Sequence, residues 1–380
     1  MINSNADALG IIFPNSYDSL VPELVSERLM ASIPFASRYR IIDFVLSSMV
    51  NCGIDNISLI VRKNYHSLMD HLGSGREWDL TRKKGGLNII PPFAEKTVKV
   101  YNGRVEALAS ILAFLKSQKE KYVIMSDTNI IVNFDFKALI EAHMASGADV
   151  TVAYTREEIP KDLLEAPLGS KDAYYTMKMS GNRVKEIRLN SKEPDKQNLF
   201  LNLYIINREL LIQQISEAYV NGYSYFERDI LIPNLSKLNV QGYLYKGYVA
   251  RITSVKSYFD ENMKMLEESN LDDLFTPNPI YTKIRDDNPT RYIDGAKVKN
   301  IMAADGCYIE GEVENSILFR GVRVEKGAKV KNCVLMQDTV VEAGARLEYI
   351  ISDKNVIVSV GQEVKGTDTF PVFVEKHKRV

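Results

Sequence analysis

The run Ala8-Leu-Gly-Ile-Ile-Phe13 lies near the start of the chain and predicts a short, fully buried β-strand, because it is apolar throughout and is followed by the turn-former Pro14. In α/β proteins the loop after the first strand commonly binds phosphate, and glycines there let the backbone approach the phosphate closely. Here that loop is Pro14-Asn-Ser-Tyr-Asp-Ser-Leu20, which contains no glycine. The sequence therefore predicts the framework of a phosphate-binding domain without the loop that would bind the phosphate.

The composition indicates a soluble globular chain of more than one domain. At 380 residues, 45% of them hydrophobic, the chain can build sizeable cores, and its net charge of −1 gives no electrostatic reason to expect nucleic acid or a membrane surface as a partner. No apolar run is long enough to span a bilayer, and no signal peptide is recognisable. The three cysteines are scattered, which favours reduced thiols: Cys52, Cys307 and Cys333. We expect a cytoplasmic protein.

Up to about residue 255, short apolar runs alternate with amphipathic stretches. Further strands are predicted at residues 57–61, 122–125, 150–154, 201–206 and 240–245. Helices are predicted at 43–50, 105–116 and 136–145. This alternation predicts a Rossmann-like α/β domain, a mostly parallel sheet with helices on both faces. Ligands of such domains bind outside the carboxyl ends of the strands.

One carboxylate directly follows a predicted strand. Asp127 stands in Ser126-Asp-Thr-Asn129, just after the strand predicted at 122–125. A carboxylate in this place is suited to hold Mg²⁺ against a substrate phosphate. The alternative is that Asp127 caps the following turn, which is a common role of aspartate. The residues alone leave both roles open.

The last third of the chain has a different period. Gly295-Ala-Lys-Val298 recurs as Gly327-Ala-Lys-Val330 and nearly as Gly344-Ala-Arg-Leu347, within a series of glycines at 295, 311, 327, 344 and 361. Aliphatic residues step by six through Val324, Val330 and Met336. A repeat of about 17 residues with an inner period of six predicts a parallel β-helix of hexapeptide-type repeats. We therefore expect domains at 1–254 and 291–380, with a helical connection at 255–290.

Several motifs occur in the order found in a known family. They are Ile33-Pro-Phe-Ala-Ser-Arg-Tyr-Arg-Ile-Ile-Asp-Phe-Val-Leu-Ser47, Trp78-Asp-Leu, Gly85-Gly, Pro91-Pro and Ser257-Tyr-Phe-Asp-Glu-Asn-Met263. Together they resemble glucose-1-phosphate adenylyltransferase, also called ADP-glucose pyrophosphorylase, over essentially the whole chain. The resemblance implies a glycosyltransferase-A-like nucleotidyltransferase domain followed by a left-handed β-helix. It also implies an activity that converts ATP and glucose 1-phosphate to ADP-glucose and diphosphate with Mg²⁺.

The departures from this family fall on its working residues. Aligned with the family's motifs, the glycines of the phosphate loop become Asn15, Ser16 and Asp18, and the arginine of that loop becomes Leu20. The two substrate-binding lysines become Met30 and Glu193, the two metal-binding aspartates become Asn129 and Arg251, and a further conserved block becomes Gly103-Arg-Val-Glu-Ala107. A guanidinium cannot bind Mg²⁺. We therefore expect no catalytic residues, no metal site and no cofactor.

This pattern resembles the non-catalytic, GlgD-type subunit of the bacterial enzyme. The resemblance implies a regulatory subunit in glycogen synthesis, assembled with its catalytic paralogue into a heterotetramer in which the β-helix contributes contacts. Two alternatives stay open: an active nucleotidyltransferase with Asp127 as its sole metal ligand, and a module whose cleft binds a sugar phosphate or a nucleotide as an effector. The candidate cleft residues are Arg28, Arg38, Arg40, Asp127 and Lys192. Self-association is a further possibility.

Overall fold

The computed structural model describes residues 6–92, 101–165, 174–193 and 195–380. The strands before residue 254 are β1 Ala8–Phe13, β2 Pro34–Phe35, β3 Tyr39–Arg40, β4 Asn56–Ile60, β5 Gly86–Ile90, β6 Tyr122–Asp127, β7 Ile130–Ile131, β8 Val150–Glu157, β9 Tyr175–Ser180, β10 Arg183–Leu189, β11 Gln197–Asn207, β12 Val240–Leu244 and β13 Ala250–Arg251. The helices are α1 Ile41–Asn51, α2 His66–Leu72, α3 Arg104–Ala109, α4 Leu112–Ser117, α5 Phe136–Ser146, α6 Lys161–Leu164, α7 Arg208–Val220, α8 Ile232–Asn234, α9 Val255–Lys264 and α10 Glu268–Phe275. Within the described residues, no helix is both long and apolar enough to cross a membrane.

The main sheet has nine strands in the order β5-β4-β1-β6-β11-β8-β12-β10-β9. Strands β5, β4, β1 and β6 are mutually parallel, although no strand was predicted at β5. With the antiparallel pairs of β9, β10 and β11, the sheet is mixed rather than mostly parallel. The run predicted at 201–206 lies in β11, which is antiparallel to both of its main neighbours, β6 and β8. Strands β9 and β10 also pair antiparallel. An apolar run predicts a buried strand but not its direction, because the side-chain pattern is the same in both directions.

Helices cover both faces of this sheet, as the strand–helix alternation predicted. Alternate residues of β1 enter different cores: Leu9 and Ile11 pack on the side of α3, α4 and α7, whereas Ala8 and Ile12 pack on the side of α1 and α5. Gly10 faces α1 so closely that a Cβ there would lie 2.8 Å from the sulfur of Met49. The single helix predicted at 105–116 is two helices, α3 and α4.

The C-terminal region is a stack of parallel coils with three sides. Its strands are β14 Arg291–Tyr292, β15 Lys297–Ala303, β16 Tyr308–Ile309, β17 Glu312–Leu318, β18 Arg323–Val324, β19 Lys329–Lys331, β20 Val334–Leu335, β21 Val340–Val341, β22 Arg346–Glu348, β23 Ile350–Ser352, β24 Ile357–Val358, β25 Glu363–Lys365 and β26 Val372–Val374. Each pairs in parallel with the strand one coil away, for example Lys329 with Arg346. Val324 and Val330 are buried in the core of the coils, six residues apart as predicted. Met336 was predicted wrongly: it packs in the core shared with the first domain, and Leu335 faces the coil core in its place.

The corners of the coils explain the repeated glycines. Gly295, Gly327, Gly344 and Gly361 all adopt a left-handed backbone, with φ between 68° and 91°. Gly311 fits the spacing but does not belong to this left-handed series. A Cβ on Gly311 would lie 2.4 Å from the carbonyl oxygen of Ala328, so glycine is required there by close backbone approach rather than by a left-handed turn.

The β-helix packs directly against the first domain. The motif segment 33–47 and α9 share one apolar core with β-helix residues such as Met336 and Ile351. In this core the hydroxyl of Tyr258 donates to the carbonyl oxygen of Pro34 at 2.8 Å, and the side-chain oxygen of Asn262 accepts from the backbone N–H of Ala36 at 3.1 Å. The helix predicted in the connection is α9, capped by the side chain of Ser254. The division of the chain at 254 and 290 stays a prediction.

Candidate functional site

The loop after β1 is held together by the side chains that stand in place of glycines. Asn15 accepts a hydrogen bond from the backbone N–H of Arg62 at 2.7 Å and donates to Asp18 at 2.9 Å. Asp18 also accepts from the backbone N–H of Met30 at 2.8 Å, and burial raises the pKa of this carboxyl group. Carboxylate and amide groups thus occupy the loop. The backbone N–H of Met30 is already bonded to Asp18 and is not available to a phosphate.

A cavity of about 480 Å³, the cleft, opens beside this loop at the carboxyl ends of β1 and β4. Its aromatic lining comprises Phe13, Tyr17, Tyr101, Tyr175, Tyr225 and Phe226. Its polar lining includes Asn15, Ser16, Asp18, Arg62, Lys63, Arg104 and Glu227. The position of the cleft agrees with the expectation that ligands of such a sheet bind at the carboxyl ends of its strands.

Arg104, the first residue of α3, is the central charged group of the cleft. Its guanidinium pairs with the carboxylates of both Asp127 and Glu227, and all three side chains are at least seven-eighths buried. The rings of Phe13 and Tyr204 lie 5.5 and 5.4 Å from the guanidinium carbon, and the Tyr204 hydroxyl donates to Glu227 at 2.6 Å. One cation of this network thus pairs with two carboxylates, and Oδ1 of Asp127 is buried without a hydrogen-bond partner among the described residues.

The electrostatics of this network favour a permanent cation. Burial disfavours a charged guanidinium, but the carboxylate of Asp127 more than offsets this and raises the pKa of Arg104 above its usual value. Burial raises the pKa of Asp127, and Arg104 opposes that shift. Asp127 was predicted to follow a strand, but it is the last residue of β6. Its partner is a guanidinium, and its side chain is neither a capping group nor exposed to solvent.

The two aligned metal positions, Asn129 and Arg251, lie side by side. Strand β7 pairs with β13, and the backbone N–H of Ile252 donates to the carbonyl oxygen of Asn129 at 2.9 Å. The guanidinium of Arg251 pairs with Glu157 at 2.9 Å and donates to the carbonyl oxygen of Phe200 at 3.2 Å. The two aligned positions are therefore neighbours in space, and their side chains are an amide and a cation.

These residues do not fit a magnesium ion. Mg²⁺ prefers carboxylate and water oxygens, whereas the carboxylates nearest to this place, Asp127 and Glu157, are each paired with an arginine. In the described ranges, no group of three or more His, Cys, Asp or Glu side chains could hold a metal. Asn129 instead meets Asn202, whose amide nitrogen lies 3.5 Å from the Asn129 side-chain oxygen and donates to the Tyr17 hydroxyl at 2.9 Å.

Four of the other predicted positions lie away from the cleft. Met30 and Leu20 pack in the apolar core shared with the β-helix. Glu193 forms an ion pair with Arg188 and lies 3.5 Å from the amine of Lys178, next to the β9–β10 hairpin. Lys192 is exposed and precedes Glu193 in the chain. None of these side chains reaches the Arg104 network.

The three candidate arginines of the first domain also lie outside the cleft. Arg28 is buried and pairs with Asp353 of the β-helix at 2.7 Å, so it joins the two domains. Arg40 donates to the carbonyl oxygen of Ser67 at 2.6 Å. Arg38 and Arg40 instead line a second pocket. These arginines were expected to contact a ligand in the cleft, but they do not line it. The reason is that segment 33–47 packs against the β-helix.

This second pocket, the basic pocket, has a volume of about 360 Å³ and lies between the first domain and the β-helix. The cations that line it are Arg38, Arg40, Lys283, Arg285, Arg320 and Lys354. The only lining carboxylate among the described residues is Asp70, whose oxygen lies 3.4 Å from the amine of Lys283. Burial lowers the pKa of Arg40 to about 10. The pocket therefore carries an excess of positive charge.

Sequence reasoning missed the residues that close the cleft: Tyr17, Arg104, Asn202, Tyr204 and Glu227. Two signals were available. Asn202 interrupts an apolar strand, where a polar residue needs a buried partner, and it has a left-handed backbone beside a bulge in β11. Arg104 lies within a block already aligned to the family. Glu227 gave no local signal, since its role depends on which strand faces it.

Two family models match the chain. The model described as "Nucleotidyl transferase" matches residues 23–163, and the model described as "GlmU-like, C-terminal hexapeptide" matches residues 285–370. The first region contains β4, β5, β6 and β8 of the main sheet, and the second covers most of the parallel coils.

Curated relatives match along most of the chain. The glycogen biosynthesis protein GlgD of Bacillus subtilis (strain 168) is 34% identical over 86% of this chain and 83% of its own length, and that of Geobacillus stearothermophilus is 36% identical over the same shares. The glucose-1-phosphate adenylyltransferase of Geobacillus stearothermophilus is 30% identical over 85% of this chain and 82% of its own length. The chain therefore belongs to the glucose-1-phosphate adenylyltransferase family and, within it, resembles the GlgD proteins.

Proposed function

We propose that this chain is a regulatory, catalytically silent subunit of glucose-1-phosphate adenylyltransferase in glycogen biosynthesis. The observation that carries the proposal is the pairing of Arg104 with Asp127 and Glu227 in the centre of the cleft. In this family the carboxylates of the cleft would have to hold Mg²⁺ while ATP reacts with glucose 1-phosphate. Here a side chain of the protein, Arg104, is already paired with both of them.

The energetic cost of opening this network supports the proposal. Binding Mg²⁺ at Asp127 would require Arg104 to leave its partners, and an unpaired buried charge costs about 3–5 kcal/mol. The cation of Arg251, beside Asn129, would also repel the metal. Any one of these substitutions could belong to a variant mechanism. Their combination in one cleft favours a scaffold that no longer carries out the chemistry.

The proposal includes an assembly. The chain would join a catalytic paralogue in the cytoplasm as a heterotetramer, with contacts from a β-helix that winds left-handed and with domain limits at 254 and 290. It would bind no Mg²⁺ of its own. Its influence on the partner's rate would then be a coupling free energy passed through the interface.

Assays of the chain alone and with its partner test this. The purified chain is assayed for ADP-glucose formation with Mg²⁺, and then mixed with the catalytic subunit, with the catalytic subunit alone as the reference. We expect no activity from the chain by itself and a changed rate or effector response in the mixture. Robust activity of the chain alone would refute the silent role. An unchanged rate and an unchanged particle size on mixing would refute the regulatory one, and the size of the chain alone reports self-association.

The active-enzyme alternative depends on Asp127. If Asp127 were the sole metal ligand, Asp127→Ala would abolish ADP-glucose formation by the chain alone. If the cleft is silent, the variant leaves the background rate unchanged. The observed pairing of Asp127 with Arg104 favours the second result.

The basic pocket favours a second, compatible function, the binding of an anionic effector such as a sugar phosphate or a nucleotide. Six cations line it, and they outnumber the carboxylates available to them. A phosphate would supply the missing negative charge and accept hydrogen bonds from guanidinium groups. Calorimetric titration with sugar phosphates, ATP and ADP-glucose tests this. The affinity should fall in Arg320→Gln and be retained in Arg62→Gln, which lines the cleft instead.

A further inference from the structure

The basic pocket contains two lysines: Lys283 pairs with Asp70, whereas Lys354 has no ion-pairing carboxylate among the described residues. Lys354 follows β23 at a corner of the β-helix, and its own backbone N–H donates to Asp353 at 2.6 Å. That carboxylate is already paired with Arg28. The other nearby carboxylates are also committed, Asp70 to Lys283 and Asp287 to two arginines. Across the described residues, no carboxylate lies within ion-pairing distance of the Lys354 amine.

This environment makes the charged form of Lys354 unfavourable. Burial, together with the positive charges of Arg40 and Arg28, lowers its pKa from 10.5 to about 7. Near neutral pH the amine is therefore protonated in only part of the molecules. A bound oxyanion would add negative charge to the same pocket and would favour the ammonium form.

We propose that an oxyanion bound in the basic pocket takes up one proton through Lys354, so that the affinity of this pocket depends on pH around neutrality. The proton comes from solvent and is held on the Lys354 amine, and no covalent bond is made or broken. The inference rests on the effector role proposed above and adds its regulation. By linkage, the anion and the proton each strengthen the binding of the other.

Other charged groups face Lys354, and any of them that titrates near neutral pH is an alternative source of the pH dependence. Besides the five other cations of the basic pocket, they are Arg28, Asp353, Lys376, Asp70 and His71. Of these, His71 is the other group that titrates near neutral pH. Its Nε2 lies 2.6 Å from Asp43, and burial lowers its pKa, so its protonation belongs to a more acidic range. Variants of Lys354 show whether a pH dependence of anion binding comes from Lys354 or from His71.

Inorganic sulfate is the appropriate probe, because it stays dianionic across the tested pH range and any pH dependence then comes from the protein. The chain has one tryptophan, Trp78, whose ring contacts that of His71 in the pocket wall at 5.9 Å. Sulfate binding is followed by Trp78 fluorescence and, independently, by the shift in melting temperature. With the Lys354 pKa of about 7, we expect sulfate affinity to be about tenfold weaker at pH 8 than at pH 6.

Two variants complete the test. Lys354→Arg keeps its charge at both pH values, so it should bind sulfate with the stronger affinity and without pH dependence. Lys354→Met cannot take up the proton, so it should bind weakly at both. A wild-type affinity that does not change with pH, or a pH dependence that persists in Lys354→Met, overturns the inference while leaving the effector site intact. No sulfate binding by either readout at either pH overturns the effector site itself.

Discussion

The cleft and the basic pocket differ in how their charged groups are paired. In the cleft, one guanidinium, that of Arg104, serves two carboxylates, and a tyrosine hydroxyl completes the network. In the basic pocket, six cations share few carboxylates, and burial holds the pKa of Lys354 at about 7. The first arrangement needs no ligand, whereas the second is improved by an anion. Under the proposed function, the cleft serves as a structural element, and the charge that could bind a ligand lies in the basic pocket between the first domain and the β-helix.

The largest predicted effect is the loss of the central cation of the cleft. Arg104→Met should lower the free energy of unfolding by about 3–5 kcal/mol, because Asp127 and Glu227 would remain buried without a counter-charge. Urea denaturation measures this. The control is Arg82→Met, which removes a partly exposed partner of Asp55 and should cost about 0–1 kcal/mol. Equal losses of unfolding free energy in the two variants would contradict the role of Arg104 as the counter-charge of the buried carboxylates.

A carboxylate of the cleft should matter less than its cation. Asp127→Asn keeps the side-chain shape and leaves Glu227 to pair with Arg104, so we expect a loss of about 1–3 kcal/mol. The same denaturation experiment applies, with Asp55→Asn as the surface control. A stabilising effect of Asp127→Asn would show that Arg104 does not need both carboxylates.

The basic pocket should make stability rise with pH. In the folded protein the pKa of Lys354 is about 7, against 10.5 ordinarily, so the unfolded chain binds more protons between these values. The unfolding free energy should therefore rise by about 2 kcal/mol from pH 7 to pH 9 in an anion-free buffer, relative to Lys354→Met. Urea denaturation at both pH values measures the difference. If the unfolding free energy changed equally with pH in the wild type and in Lys354→Met, Lys354 would not be the cause of the change.

The smallest predicted effect has the opposite sign to that of Arg104→Met. Arg38 has no ion pair among the described residues and lies in a pocket of like charges. Arg38→Gln should therefore stabilise the chain by a few tenths of a kcal/mol at low ionic strength, and the gain should vanish in about 1 M salt, where exposed charges are screened. Melting temperatures at the two salt concentrations test this. A destabilising effect at low salt would indicate that the pocket is not overcharged.

Local patterns predicted much of the fold. The run at 8–13 is β1 at the same residues, and the strand and helix predicted at 122–125 and 136–145 lie within β6 and α5. These predictions succeed because the pattern of apolar residues that indicates a buried strand or an amphipathic helix is formed by residues close together in the sequence. The direction of β11 and the break between α3 and α4 were not predicted, because neighbours in space decide them.

The candidate site was predicted in part. Alignment placed Asn129 and Arg251 at one site, and β7 and β13 pair there. It did not predict that Arg28 would contact the β-helix, because an arginine finds its carboxylate only when two distant segments meet.

The sequence by itself determined which chemical groups are available: a loop without glycine, a repeat that forms parallel coils, and an arginine where the family has a metal-binding aspartate. Only the tertiary structure decided which charges meet. Arg104 lies in α3, Asp127 in β6 and Glu227 in the π-helical segment Phe226–Leu231, and their side chains pair at the cleft. The cations of the basic pocket come from the first domain, the connection and the β-helix. The physical reason is that the energy of a charge depends on its burial and its partners, and both are set by long-range packing.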